Sequence, residues 1–168
     1  MKVKRQRGLV LLLCLVLTLM LGMLGVSVMG SATQQARMAR NLLASLQVFE
    51  QAQQGLLLAE ARVQEQAWPP CSFCLPPPEA GHVVAAGIHA GAGASSGLDW
   101  QAGEKGFYLI QFLGQSNRVR LMPPGQDTNL YRITAVHRQG AARNVLESVV
   151  AQPVAGGQWQ RIVWRQLH

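Results

Sequence analysis

Charged side chains are scarce in this chain: Asp, Glu, Lys and Arg make up 14% of its 168 residues, against an ordinary share of about 25%. With 49% hydrophobic content, that scarcity excludes a disordered basic tail, which would be rich in charge and poor in apolar residues. It also speaks against an ordinary cytosolic enzyme. Chemistry-bearing motifs are sparse as well. No paired carboxylates mark one site, and no Gly-x-x-x-x-Gly-Lys phosphate loop occurs. His137, in a strand-like run, reads as a surface or edge residue rather than a base. The expectation is a non-enzyme with no catalytic residue, no cofactor and no metal. The length allows one small domain, at roughly 100–200 residues per domain.

What the chain does have is unevenly placed. It carries 15 Lys and Arg against 8 Asp and Glu, a formal +7. Lys2, Lys4, Arg5 and Arg7 crowd the first seven residues; setting them aside leaves 11 basic against 8 acidic residues, a balance of +3. A nucleic-acid reading of the whole protein from its net charge therefore loses most of its force.

From Gly8 the chain turns apolar through Met29, and the next charge is Arg37. A Leu-, Val- and Met-rich helix of that length crosses roughly 30 Å of hydrocarbon at about 1.5 Å per residue and satisfies its own backbone. The four basic residues before it and Arg37 and Arg40 after it place the N-terminus in the cytoplasm and the remainder outside. Three fates compete for the segment. A cleaved secretory signal has an apolar core of only about 7–15 residues, although Gly30-Ser31-Ala32 is a tolerable cleavage site. A plain signal anchor is the second. The third follows from the abrupt change at Gly8, where a short basic leader ends and the apolar run begins.

That junction resembles a type IV prepilin, in which a dedicated peptidase cuts after a glycine on the cytoplasmic side and methylates the new N-terminus. The resemblance implies prepilin peptidase as a partner, cleavage between Gly8 and Leu9, and retention of the apolar helix. The following stretch, Gly30-Ser31-Ala32-Thr33-Gln34-Gln35-Ala36-Arg37-Met38-Ala39-Arg40-Asn41-Leu42, is similar to the N-terminal signature of PilX-type minor pilins. There, an apolar run leads into Ser-Ala-Thr, then Arg-Met-Ala-x-Asn, then a Phe-led helix. Phe49 to Leu56 follows that last part loosely, with Gln53 for Glu and Gly55 for Ala, and the likeness returns at Tyr131-Arg132-Ile133-Thr134-Ala135. One departure is informative. Major pilins carry Glu five residues into the mature chain, and here that place is Leu13. An uncompensated carboxylate in a membrane is costly, and its absence points to a minor, initiating or capping role rather than a repeating shaft subunit.

Beyond the span, Leu42, Leu43, Leu46, Phe49, Leu56, Leu57 and Val63 fall at helical spacings and predict one apolar stripe. The helix is expected to end near Trp68-Pro69-Pro70, because proline lacks a donor and pushes the preceding residue out of helical space. Gly22 and Gly25 suit close helix approach in a membrane. Cys71 and Cys74 sit in a proline-bounded connection. A structural disulfide is the preferred reading in an oxidising compartment. A redox pair would need a thioredoxin-like setting, zinc would need two more ligands, for which only His82 and His89 are at hand, and haem would need His where Leu75 stands. Cys14 reads as a small hydrophobe. Residues 79–103, rich in Gly and Ala, read as a flexible loop.

Four strand-like runs follow, at 107–113, 130–137, 144–150 and 159–165, with turns at Gly140 and Gly156-Gly157. Alternation puts Tyr131, Ile133 and Ala135 on one face and Arg132, Thr134 and Val136 on the other. Arg118, Arg120, Arg132, Arg138, Arg143, Arg161 and Arg165 make DNA a conceivable partner, since phosphate contacts need such charges; a solvated sheet face is preferred.

The expected fold class is α+β and pilin-like, a long N-terminal helix packed on an antiparallel sheet of about four strands. Its parts are a leader (1–8), a membrane and assembly helix (9–30), an amphipathic continuation (31–67), a linker (68–106) and a sheet head (107–168). Other minor and major pilins, through the N-terminal helix, and the lipid bilayer are the expected partners. The implied location is the inner membrane with a periplasmic head, and incorporation in a pilus. A type II secretion minor pseudopilin and a signal-anchored periplasmic adhesion or binding domain are the alternatives.

Overall fold

A computed structural model describes residues 6–167. Lys2, Lys4 and Arg5 of the expected leader lie outside the described residues, as does His168. The chain divides into two compact units, Met1–Leu43 and Ala44–His168.

One helix, α1 (Gln6–Glu65), runs for 60 residues. Leu, Val, Met, Ala and Gln dominate it, and no proline interrupts it before Pro69. It stops at Glu65, two residues short of expectation. Trp68 leaves the helix to pack beside the core, and Pro70 then runs parallel to Phe112, with the Cys71 N–H donating to the Phe112 carbonyl at 3.1 Å.

In the second unit, a six-stranded antiparallel sheet follows in simple sequence order. Its strands are β1 (Gly87–Ile88), β2 (Asp99–Ala102), β3 (Phe107–Ser116), β4 (Thr128–Gln139), β5 (Ala142–Pro153) and β6 (Gln160–Leu167). The class is α+β, with two more strands than expected. β3 to β6 are the four anticipated runs, each longer than its apolar core. β1 and β2 lie inside the segment read as a flexible loop, and this is a correction. Glycine and alanine there obscured Leu98 and Trp100, whose side chains join Ala80, Val83, Leu109, Val136 and Val145 in a second core on the far side of the sheet.

The main core lies between α1 and the sheet. Ala52, Leu56, Ala59 and Val63 pack on Tyr108, Tyr131, Ile133, Ala135, Leu146 and Val150. The alternation expected along β4 is observed: Tyr131, Ile133 and Ala135 face the helix, and Val136 joins the opposite core. The helix stripe, however, is rotated from the expected one. Val48, Ala52, Leu56, Ala59 and Val63 are buried, whereas Leu46 and Leu57 are exposed. Small residues won the sheet side because they let the helix approach; a Cβ on Gly55 would stand 3.8 Å from that of Ala135. Leu42 and Leu43, also expected in the stripe, are exposed.

One glycine is dictated by a close approach. Gly106, at φ +101°, closes the β2–β3 turn, and a Cβ there would collide with the Val136 carbonyl oxygen. At the β4–β5 hairpin the two-residue turn between Gln139 and Ala142 uses Gly140 at φ +60°, as expected.

The rotated stripe is directly testable. Leu56→Ala is expected to destabilise the head by about 2–5 kcal/mol, while Leu57→Ala next to it shifts stability by no more than about 0.5 kcal/mol. Urea unfolding followed by tryptophan fluorescence separates the two; equal losses would place the helix in the wrong rotation.

Candidate functional site

Among the described residues, the first unit presents an exposed apolar surface. None of the most apolar stretch of α1 is buried, and the helix is long and apolar enough to cross a membrane. Leu9, Leu11 and Leu21 are 69%, 72% and 67% exposed. In water such a surface is unfavourable by roughly 25 cal/mol per Å². The Gly8/Leu9 junction falls inside the first turns of α1. Leu13 is exposed among its apolar neighbours, and Cys14 is a free thiol on the same surface. A Cβ at Gly22, Gly25 or Gly30 would meet nothing within 4 Å, so these positions are open to a partner helix.

In the second unit, the loop after α1 is fixed to the outer face of the sheet by polar contacts. Cys71 and Cys74 form a disulfide, with Cα atoms 5.4 Å apart. The buried Gln111 side chain donates through Nε2 to the Phe73 and Leu75 carbonyls at 2.5 and 3.0 Å, and Arg132 Nη1 donates to the Cys74 carbonyl at 2.6 Å. The disulfide thus closes a loop whose carbonyls are already held by β3 and β4. No group of three metal-ligating side chains occurs among the described residues.

Arg132 continues into a row of charges across the sheet. Glu147 on β5 is 1% exposed. Arg165 on β6 holds it, with Nε donating to Oε1 at 2.9 Å and Nη2 standing 2.7 Å from that oxygen, and Arg132 Nε lies 3.6 Å from Oε2. Desolvation by burial lowers the pKa of Arg132; Glu147 opposes that and Arg165 adds to it. On the helix side, Glu60 is 2% exposed and takes a two-pronged bond from Arg161, Nε to Oε1 at 2.8 Å and Nη2 to Oε2 at 2.5 Å. This ties the helix to the last strand.

These pairings change the meaning of the arginines. Arg132, Arg161 and Arg165 neutralise buried carboxylates, Arg143 donates to the Gly81 carbonyl at 2.5 Å, and Arg138 donates to that of Gly140 at 3.3 Å. Arg118 and Arg120 remain exposed in the β3–β4 loop.

Glu79 is the polar group that sequence reasoning missed. It is 1% exposed and stands at the root of the segment read as flexible. The Ser96 hydroxyl donates to its Oε1, the Ser96 N–H to its Oε2 at 2.9 Å, and Trp100 Nε1 to Oε1 at 3.2 Å. Desolvation by burial pushes its pKa up, but the hydrogen bonds from Ser96 and Trp100 outweigh that and hold it below 4.5. The signal was a lone acid followed by Ser and Trp, without a local pattern to join them. His82 and His89 flank the same loop, where the His82 N–H donates to the Glu79 carbonyl at 2.7 Å and the His89 carbonyl accepts from Ser95 Oγ at 3.2 Å. Gly93-Ala94-Ser95-Ser96-Gly97 also spells Gly-x-Ser-x-Gly. A nucleophile elbow needs a strand-to-helix turn, and this stretch connects β1 to β2 with both hydroxyls engaged locally. His137 lies half-buried on β4, its Nδ1 without a hydrogen-bond partner.

No family model matches this chain, and no curated protein or solved structure matches it either.

A carboxyl whose folded pKa is depressed stabilises the head fully above its unfolded value near 4.5, and that contribution fades as pH falls through the folded pKa. Ser96→Ala is therefore expected to lower stability by about 1.5–3 kcal/mol near neutral pH, with the gap from the unmodified protein closing in acid. Urea titrations across this range measure it. A gap independent of pH would mean that Glu79 is not held ionised by Ser96.

Proposed function

We propose that this protein is a minor pilin of PilX type: a membrane-anchored subunit that helps initiate, prime or cap assembly of a type IV pilus. The observation that carries the proposal is the division of labour along α1. One uninterrupted helix leaves its Leu- and Val-rich part exposed and packs its Ala-rich part on an antiparallel sheet. A helix that only anchored a domain would have no need to continue without a break into that domain's core. A helix that docks among sister helices while carrying a head does need that continuity.

The basic-Gly8-Leu9 junction supports the same reading, since prepilin peptidase acting there would leave Leu9 at the mature N-terminus and keep the docking surface. Leu13 supports a minor place in the filament, because it brings no carboxylate for a neighbour's amine to neutralise. Glycines at 22 and 25 allow close contact between helices in lipid. The head then sits in the periplasm, where the Cys71–Cys74 disulfide is stable. A type II secretion minor pseudopilin would share all these features and differ in its partner subunits.

N-terminal sequencing of protein extracted from membranes tests the proposal. A mature chain beginning at methylated Leu9 is the expected result, and Gly8→Asp should leave the leader attached. An intact Met1 would favour a plain signal anchor, and a start at Thr33 would mean a secreted, untethered domain; both outcomes overturn the pilin reading.

A further inference from the structure

The connection after α1 holds two opposed tendencies. Pro69, Pro70, Pro76, Pro77 and Pro78 make up half of residues 69–78. Proline fixes its own φ and moves the residue before it into extended backbone, so these residues favour an open, polyproline-like course. The Cys71–Cys74 disulfide instead curls four residues into a ring.

The backbone beside that ring takes a course that an extended chain cannot. Three successive carbonyls, those of Phe73, Cys74 and Leu75, accept bonds from one face of the sheet, the first and third from Gln111 Nε2 and the second from Arg132 Nη1. In an extended chain successive groups point to different sides. The Cys71 N–H completes the clamp by donating to the Phe112 carbonyl at 3.1 Å. Gln111 is 2% exposed, and its own Oε1 is buried without a partner, so the loop carbonyls fix its orientation. The bond itself is within reach of solvent, since Cys74 is exposed and Cys71 half-buried.

We propose that the 71–75 loop is a redox-sensitive latch: the disulfide and the grip of Gln111 and Arg132 stabilise each other, and reduction releases the loop from β3 and β4. The step is thiol–disulfide exchange. A thiolate attacks Cys74 Sγ, the S–S bond breaks, and Cys71 leaves as a thiolate that takes up a proton. A second thiol then displaces the first from Cys74, giving two protein thiols and one oxidised pair of the small thiol. Without the ring the prolines extend the segment, and its three carbonyls no longer converge on Gln111 and Arg132. Coupling of this kind is reciprocal, so weakening the grip of Gln111 also makes the bond easier to reduce. Gln111 is a positioning residue, acting on the sulfurs only through the loop carbonyls. The latch rests on the head alone and does not depend on the pilus reading.

The test uses the full chain in detergent micelles with Cys14→Ala, so that Cys71 and Cys74 are its only thiols. Equilibration in glutathione buffers, followed by alkylation and mass measurement, gives the oxidation constant. Gln111→Met keeps the bulk and removes the donor, and should lower that constant at least about tenfold, as loss of two hydrogen bonds does. Leu56→Ala weakens the seam on the other side of the sheet and should leave the constant unchanged. Hydrogen exchange gives a second reading that needs no change at the clamp: the Cys71 amide should exchange at least about tenfold faster in the reduced chain than in the oxidised one. It decides the matter even if Gln111→Met does not fold. An oxidation constant that Gln111→Met leaves in place, or that Leu56→Ala lowers as much, overturns the proposal. So does a Cys71 amide equally protected in both redox states.

Discussion

The structure depends on one contact, the seam between the second part of α1 and the helix-facing side of β3 to β5. Val48, Ala52, Leu56, Ala59 and Val63 recur at steps of four, four, three and four, which keeps them on one line of the helix. Two of the five are alanines, and Gly55 stands beside them against Ala135. The helix therefore lies close to the sheet and buries Tyr131, Ile133 and Leu146 beneath it. A rotation of one residue would place Phe49, Gln53, Leu57, Glu60 and Gln64 there, larger and partly polar side chains that would lift the helix away. The apolar first part of α1 is exposed along its described residues.

Buried carboxylates lock the seam and the sheet's outer face. Glu60, Glu79 and Glu147 are each at most 2% exposed. Ions taken out of water at such depth need compensation from partners with good geometry. Each finds it far along the chain: Glu60 from Arg161, Glu147 from Arg165 and Arg132, Glu79 from Ser96 and Trp100. The strand order 1-2-3-4-5-6 brings these groups together while every connection remains local. The disulfide loop belongs to the same system, because Arg132 donates to the Cys74 carbonyl while its guanidinium lies 3.6 Å from Glu147 as an ion pair. Three of the seven arginines that read as a basic face, Arg132, Arg161 and Arg165, are counter-ions to buried carboxylates.

Much of this was legible in the amino-acid order. The long helix follows from an apolar run without proline, its end from Trp68-Pro69-Pro70, and β3 to β6 from period-two alternation, because these depend on neighbours a few residues apart. The Cys71–Cys74 pair was equally visible as a local pattern. The rotation of the stripe, β1 and β2, and the partners of the buried acids were not. Leu46 and Leu57 satisfy the same helical spacing as Leu56, and only contact with Ala135 and Ile133 decides which of them is covered. Glu79 and Trp100 are 21 residues apart, with glycines and alanines between them. Periodicity set the elements, since it acts within one turn or one pleat; tertiary structure alone chose which faces meet and which charges pair, since burial depends on atoms that the chain order does not place side by side.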